Sequence, residues 1–115
     1  MWHILVSGSI AYDYIMDFAD QFGKYILPDR TDKLSVSFNI NKLEKRDGGA
    51  GHNIAYNLAL LKEKTLLMWA IGQDFEASEK NKNTIDYRYT HISKSLGTPS
   101  AHIITDMENN QITAF

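Results

Sequence analysis

The stretch Gly48-Gly49-Ala50-Gly51-His52-Asn53 decides how the rest of the chain is interpreted. Three glycines in four positions allow backbone angles that other residues avoid, and they let another backbone or a ligand approach closely. A glycine-rich turn that opens a helix leaves unpaired backbone N–H groups, which suit anions or polar oxygens. From His52 to Leu61 the pattern is helical, and the predicted buried face carries Ile54, Ala55, Leu58, Ala59 and Leu61.

Asn53 lies one step inside this predicted helix, and its side chain has both a hydrogen-bond donor and an acceptor. The turn and Asn53 together predict a site that binds hydroxyls or phosphate. The alternative is a tight loop before an ordinary amphipathic helix, which composition alone favours.

The bulk composition is that of one ordinary soluble domain or part of one, with 115 residues, 43% hydrophobic and 23% charged. A net charge of −2 gives no electrostatic basis for binding nucleic acid or an anionic membrane. The absence of cysteine excludes disulfides, thiolate zinc sites and cysteine nucleophiles. The four histidines lack the spacing of a metal site, and dinucleotide and Walker A motifs are absent. No signal or membrane-spanning segment is visible, so we expect a cytoplasmic protein.

Two apolar runs on either side of the glycine turn, residues 3–7 and 65–71, predict buried strands of a parallel α/β sheet. Residues 9–13 then form the loop at the carboxyl end of the first strand, where such sheets bind ligands. Asp13 is a candidate there because a carboxylate accepts hydrogen bonds from two adjacent hydroxyls at once. A loop or capping role is the alternative for Asp13.

Between the first strand and the glycine turn, residues 34–40 alternate apolar and polar side chains, which predicts a half-buried antiparallel strand. We expect a small inserted β-ribbon there, with residues 43–47 as a solvated connection. Residues 76–89 are polar and predict at most a short helix. Residues 100–105 and 111–115 predict a hairpin, and an ending inside its apolar second strand indicates truncation.

Together these features resemble the amino-terminal part of the ribokinase/PfkB family of carbohydrate and nucleoside kinases. Gly48-Gly49 followed by Asn53 and Ala55 is similar to the family's first signature, and residues 7–13 resemble its opening strand and substrate-binding aspartate. Residues 26–29, 34–38 and 105–115 resemble the adenosine-kinase-like branch. The resemblance implies an α/β, Rossmann-like parallel-sheet fold with an inserted β lid. Residues 1–22 and 47–115 would form the core, and residues 23–46 the lid.

The resemblance also implies roles for individual residues. Asp13 and Asn53 would hydrogen-bond ribose hydroxyls, and Gly48-Gly49 would be the hinge on which the lid closes. Phe38 would pack on a base or sugar, or else belong to the core of the lid. ATP and Mg²⁺ are expected for the full-length family member. The family's catalytic aspartate lies in a Gly-Ala-Gly-Asp signature that is absent here, so we expect this chain to bind neither cofactor and to be inactive alone.

Two classes of function therefore remain open. The first is the substrate-binding portion of an ATP-dependent kinase for an adenosine-like nucleoside or, alternatively, a sugar. The second is a non-catalytic, truncated remnant that at most binds nucleoside or assembles with a partner chain. Between Phe75 and Thr98 only Ile85-Asp86 resembles the family's usual passage, and this departure within residues 76–89 and the end at Phe115 favour the remnant. Expected partners are the small-molecule substrate and either a second copy bound through the lid or a complementary carboxyl-terminal half.

Overall fold

The computed structural model describes residues 2–115. In chain order its regular elements are β1 (Ile4–Ser7), β2 (Ala11–Asp17), β3 (Lys42–Gly48), α1 (Ala50–Leu60), β4 (Thr65–Met68), β5 (Ala70–Gly72), α2 (Glu79–Lys82), β6 (Ile85–Asp86), β7 (His91–Ser93), β8 (Ser100–Thr105) and β9 (Gln111–Ala114). Two 3-10 helices, Phe22–Lys24 and Pro28–Lys33, lie between β2 and β3. Among these residues no helix is long and apolar enough to cross a bilayer, and the cytoplasmic location stays a prediction.

A parallel sheet of strand order β1-β4-β6 forms the first half of the fold, as the alternation of strands and helix predicts. The helix α1 packs on one face, where the buried core residues are Val6, Ile10, Ala55, Leu67, Ile71 and Ile85. The predicted α/β class and the parallel pairing of β1 with β4 are therefore confirmed.

A mixed sheet of strand order β3-β2-β8-β9 forms the second half. The strand β2 pairs antiparallel with β3 and parallel with β8, and β8 pairs antiparallel with β9. The hairpin predicted at residues 100–115 is thus confirmed, with Asn109 at a φ of 61° in its turn. The third ladder is a short parallel pair, β5 with β7.

Two strand predictions before the glycine turn are wrong. Residues 34–40 are irregular, and the strand that pairs with β2 is Lys42–Gly48, which includes the predicted solvated connection. Asp13 was expected in a loop but lies inside β2. The alternating pattern misleads because strand formation depends on backbone pairing with a partner, and β3 offers seven consecutive pairs along β2.

The buried surfaces also differ from the expectation. The predicted single strand at residues 65–71 is two strands, β4 and β5, which belong to different sheets. Only one face of the parallel sheet is covered, since Leu5 is 56% exposed while Leu67 is fully buried. The helix α1 buries Gly51, His52 and Ala55, whereas Ile54 and Leu61 are exposed. The short helix predicted within residues 76–89 is confirmed as α2.

The predicted division into a core and a lid at residues 23–46 stays a prediction. The mixed sheet draws β3 largely from that range and its other three strands from outside it.

Candidate functional site

The glycine turn joins the two sheets. Gly49 is the residue before α1 and has a φ of 93°, which side-chained residues rarely adopt. A Cβ on Gly49 would collide with the Ser9 carbonyl, and one on Gly51 would collide with the backbone of Gly8. The segments before β2 and before α1 therefore run against each other, and glycine is required for that approach.

The first N–H groups of α1 are already used within the chain. The N–H of Ala50 donates to the Ser9 hydroxyl at 2.8 Å, and that of His52 donates to the Ser9 carbonyl at 3.1 Å. The Asn53 N–H donates to the Gly49 carbonyl at 2.9 Å. An anion at this helix end would have to compete with Ser9 for the N–H groups of Ala50 and His52.

Asp13 lies in β2 and is half-buried. A Cβ on Gly48, the residue after Asp47 in β3, would overlap the Asp13 carboxylate, so glycine makes room for that group. Arg46 is opposite Asp13 in the sheet, but its guanidinium pairs with Glu44 at 2.9 and 3.0 Å. Asp13 faces an apolar-walled cavity of about 340 Å³, lined also by Ser9, Ala11, Gly49, Pro99, Ser100, Ala101 and Phe115.

Asn53 is exposed in the first turn of α1 and lines a second cavity of about 530 Å³. The other lining residues come from β3, α1 and the region of α2: Lys45, Arg46, Asp47, His52, Tyr56, Ser78, Lys80 and Asn81. Asp13 and Asn53 thus line different cavities, and only the Asp13 cavity includes a residue of the glycine pair, Gly49. The structure brings Asp13 together with Gly48 and Gly49, and it holds Asn53 one helical turn from Gly49.

Phe38 lies apart from both cavities and belongs to an aromatic cluster. Its ring centroid is 4.9 Å from that of Phe18, 5.0 Å from that of Phe22 and 6.0 Å from that of Tyr25. Two of these rings, Phe18 and Phe22, lie outside residues 23–46, so the cluster spans the boundary of the predicted lid and the role of Phe38 stays a prediction.

Asp47 contributes a negative charge to the wall of the Asn53 cavity. Its carboxylate accepts hydrogen bonds from the Ser78 N–H at 2.9 Å and from the Asn81 amide at 2.8 Å. Burial alone would raise the pKa of Asp47, but these hydrogen bonds outweigh burial and lower that pKa. Asp47 therefore remains ionised near neutral pH, in a cavity wall that also carries Lys45, Arg46 and Lys80.

The sequence did not indicate Tyr12 and Tyr87, two aromatic residues that lie next to Asp13 and His52, respectively. Tyr12 is buried next to Asp13, and its hydroxyl accepts a hydrogen bond from the Glu76 N–H at 2.5 Å. Tyr87 shares a hydrogen bond of 2.7 Å with the Nε2 atom of His52. These partners are 35 or more positions apart in the chain, so no local pattern could reveal them. Within residues 2–115 no three acidic or histidine side chains converge as metal ligands.

Comparison with known proteins identifies the fold. The family profile described as pfkB family carbohydrate kinase matches residues 4–115. The nucleoside kinase of Methanothermobacter thermautotrophicus is 31% identical over 116 residues, covering 97% of this chain and 34% of that protein. The chain therefore spans about a third of the length of the curated relatives that it matches.

Solved structures agree with this assignment. The Methanocaldococcus jannaschii nucleoside kinase, an archaeal member of the ribokinase family, has a TM-score of 0.79 at 32% identity, covering all of this chain and 36% of that one. The Burkholderia thailandensis nucleoside kinase in complex with inosine has a TM-score of 0.74 at 32% identity, covering 97% and 35%. The same kinase has been solved as its ADP-inosine complex, with a TM-score of 0.64 at 35% identity over 97% and 36%. The predicted ribokinase-like fold is confirmed.

Proposed function

We propose, since the chain belongs to the pfkB family of carbohydrate kinases, that it forms the substrate-binding portion of an ATP-dependent nucleoside kinase. The observation that carries the proposal is the Asp13 carboxylate, which faces a cavity beside Gly48 and Gly49 while Arg46 is engaged elsewhere. A carboxylate in this setting accepts hydrogen bonds from the two adjacent hydroxyls of a ribose ring. The similarity to kinases that include an inosine complex favours a nucleoside over a free sugar.

The roles of the other residues follow from their positions. Asn53 would hydrogen-bond a further ribose hydroxyl, once movement at Gly48 and Gly49 brings its cavity and that of Asp13 over one ligand. The lid of residues 23–46 would then exclude water from the nucleoside. Phe38 would contact the base only if this closure carried its aromatic cluster over the cavity. We propose that Phe38 otherwise acts within the lid core.

Phosphoryl transfer requires groups that this chain does not supply. ATP with Mg²⁺ provides the phosphoryl group in such reactions, and a base must accept the proton of the attacking hydroxyl. The Gly-Ala-Gly-Asp signature is absent from the sequence, and the N–H groups of residues 50, 52 and 53 are used internally. We therefore assign this chain's residues to the nucleoside and none of them to ATP, and we expect no phosphotransfer by the isolated chain.

The test is adenosine binding by the 115-residue chain, measured by isothermal titration calorimetry with inosine and ribose as competitors. Asp13→Asn should raise the Kd roughly 10- to 100-fold, the usual range for losing a hydrogen bond to a charged group. Asp17→Asn is the matched control, because Asp17 lies on the same face of β2 and is exposed. An equal Kd for the Asp13→Asn variant and the unmodified chain would contradict the proposal, as would adenosine phosphorylation by the isolated chain.

A second candidate, a non-catalytic chain that assembles with a partner, is favoured by the uncovered face of the parallel sheet. Leu5 is 56% exposed and Met68 40% exposed on that face, with Leu66 between them in the register. Parallel sheets are normally covered on both faces. We propose that a polypeptide equivalent to the remaining two-thirds of the relatives covers this one, or else a second copy of the chain.

Sedimentation of the chain with and without the carboxyl-terminal two-thirds of the M. jannaschii kinase separates these possibilities. A complex that Leu5→Glu abolishes and Leu96→Glu preserves would support docking at this face, since Leu96 is 72% exposed outside the sheet. A monomer under both conditions would contradict it.

A further inference from the structure

His52 is a buried titratable group in the wall of the Asn53 cavity. Its side chain is 1% exposed, and it directly precedes Asn53 in the first turn of α1. The Nε2 atom shares a hydrogen bond of 2.7 Å with the hydroxyl of Tyr87, which directly follows β6. A side chain in α1 is thus tied to the far strand of the parallel sheet.

The backbone of the same residue is tied in a different direction. The His52 N–H donates to the Ser9 carbonyl at 3.1 Å, and Ser9 also accepts the N–H of Ala50 through its hydroxyl. Ser9 precedes β2, which carries Asp13. His52 therefore connects the end of β6, the start of α1 and the approach to Asp13 through one residue.

Phe75 completes an aromatic cluster with His52, Tyr87 and Tyr12. Its ring centroid is 6.1 Å from that of His52, 5.9 Å from that of Tyr87 and 5.4 Å from that of Tyr12, on which it stacks. Tyr12 is the chain neighbour of Asp13, and His52 is the chain neighbour of Asn53. Asp13 and Asn53, the two residues proposed to bind the nucleoside, are thus each one position away in the chain from a member of this cluster.

We propose that His52 is a positioning residue which, through its hydrogen bond to Tyr87, fixes the first turn of α1 so that Asn53 is placed for the nucleoside. The inference rests on the proposed function, and it adds a role for two residues, His52 and Tyr87, to which that function assigns none. A buried aliphatic residue at position 52 would fill the space but would leave the Tyr87 hydroxyl without its partner, which is costly in a low-dielectric interior.

The charge state of the pair agrees with this role. Burial lowers the pKa of His52, more than the Asp47 carboxylate on β3 and the Gly48 backbone raise it. Burial also raises the pKa of the Tyr87 phenol, and the Asp47 charge acts in the same direction. Both groups are therefore neutral near pH 7, and one hydrogen between them suffices for the bond.

Three variants of the full chain separate the hydrogen bond from packing. Tyr87→Phe removes only the hydroxyl, and Tyr89→Phe is its control because Tyr89 is 61% exposed two positions further along. His52→Leu removes the ring nitrogens, whereas His52→Gln places an amide near the position of Nε2 and should restore the bond. The probes are hydrogen exchange of the backbone amides of residues 50 and 52 without ligand, and the Kd for adenosine.

We expect Tyr87→Phe to accelerate exchange of both amides and to weaken adenosine binding, each by roughly three- to tenfold, which corresponds to one neutral hydrogen bond. His52→Leu should do at least as much, and His52→Gln should approach the unmodified chain. Unchanged exchange in Tyr87→Phe would overturn the proposal. Faster exchange with an unchanged Kd would overturn it too, because the bond would then serve the fold alone. Failure of the unmodified chain to bind adenosine would instead contradict the proposed function.

Discussion

The parallel sheet and the mixed sheet are stabilised in different ways. The parallel sheet has short strands and a continuous apolar core, with Ala55 of α1 packed over Val6 and Leu67. Burial of such side chains is worth about 1.5–3 kcal/mol each. In the mixed sheet β2, β3 and β8 are longer, yet β3 is exposed along most of its length and β9 along all of it. The mixed sheet therefore depends more on hydrogen bonds between its backbones and on a few side chains that hold the ends of its strands.

One such anchor is Asp106, which is buried at the end of β8. Its carboxylate accepts hydrogen bonds from the backbone N–H groups of Phe22, Glu108 and Asn110 at 2.9–3.0 Å. This carboxylate links the hairpin turn to the first 3-10 helix, as an apolar core would do elsewhere. The two sheets therefore differ in what holds them: an apolar core in one, and hydrogen bonds to a buried carboxylate at the edge of the other.

Of all the substitutions, we expect Gly49→Ala to lower the free energy of unfolding most, because it should destabilise both sheets. The positive φ costs about 1–3 kcal/mol for a side-chained residue, and overlap with the Ser9 carbonyl adds a similar amount. A loss of about 4 kcal/mol in the free energy of unfolding would remove most of the stability of a small domain. Urea denaturation followed by circular dichroism measures it.

The control for this substitution is Gly23→Ala, because a Cβ at Gly23 meets nothing within 4 Å. We expect a change of no more than about 0.5 kcal/mol there. Equal stability of the two variants would show that the turn can relax, and that the two sheets are not joined as tightly as the close approach of Gly49 to Ser9 indicates.

The junction itself was predictable from the sequence because its signals are local. Three glycines and the helical spacing after them predicted α1, and two apolar runs around residues 106–110 predicted the hairpin, whereas the site at the turn stays a prediction. The partner of β2 was not predictable, because residues 34–40 carry the better alternating pattern while β3 is mostly charged. On a strand that is mostly exposed, as β3 is, hydrophobic alternation no longer marks the strand.

Asp13 and Asn53 are predicted as site residues from their positions beside the strand and the turn, and their roles stay predictions. That they line separate cavities could not be predicted, because each cavity wall is assembled from residues far apart in the chain. The hydrogen bond between His52 and Tyr87 spans 35 positions and joins residues that no motif relates. Contacts of that kind are decided by tertiary packing alone.

Leu67→Ala should weaken the parallel sheet more than the mixed sheet. Leu67 is fully buried in the apolar core, and truncation of such a residue costs about 3 kcal/mol through lost burial and the remaining cavity. Leu61→Ala is the control, since Leu61 is 72% exposed. Hydrogen exchange should accelerate most at the amides of β1 and β4. Equal acceleration in β8 and β9 would mean that the two sheets unfold as one unit. It would contradict the conclusion that the two sheets are stabilised separately.

Asp106→Asn should have the smallest global effect and the most local one, in the mixed sheet. An amide presents one acceptor oxygen where the carboxylate has two, so the N–H groups of Phe22, Glu108 and Asn110 cannot all remain paired. Their hydrogen exchange should accelerate while that of β1 and β4 stays unchanged. Asp32→Asn, at an exposed position of the second 3-10 helix, should alter neither set.

The pH dependence of the stability of Asp106→Asn tests whether the charge of the Asp106 carboxylate is the cause of this effect. Burial alone would raise the pKa of Asp106, but the hydrogen bonds from Phe22, Asn110 and Glu108 outweigh it and lower that pKa below 3.8, its value in the unfolded chain. The folded state therefore gains stability from this carboxylate above pH 3.8 and loses it as the pH falls through the lowered value. The melting temperatures of Asp106→Asn and the unmodified chain should differ near neutral pH and converge in acid. A difference in melting temperature that persists at low pH would mean that Asp106 acts through its shape and not through its charge. The mixed sheet would then be held by packing, as the parallel sheet is.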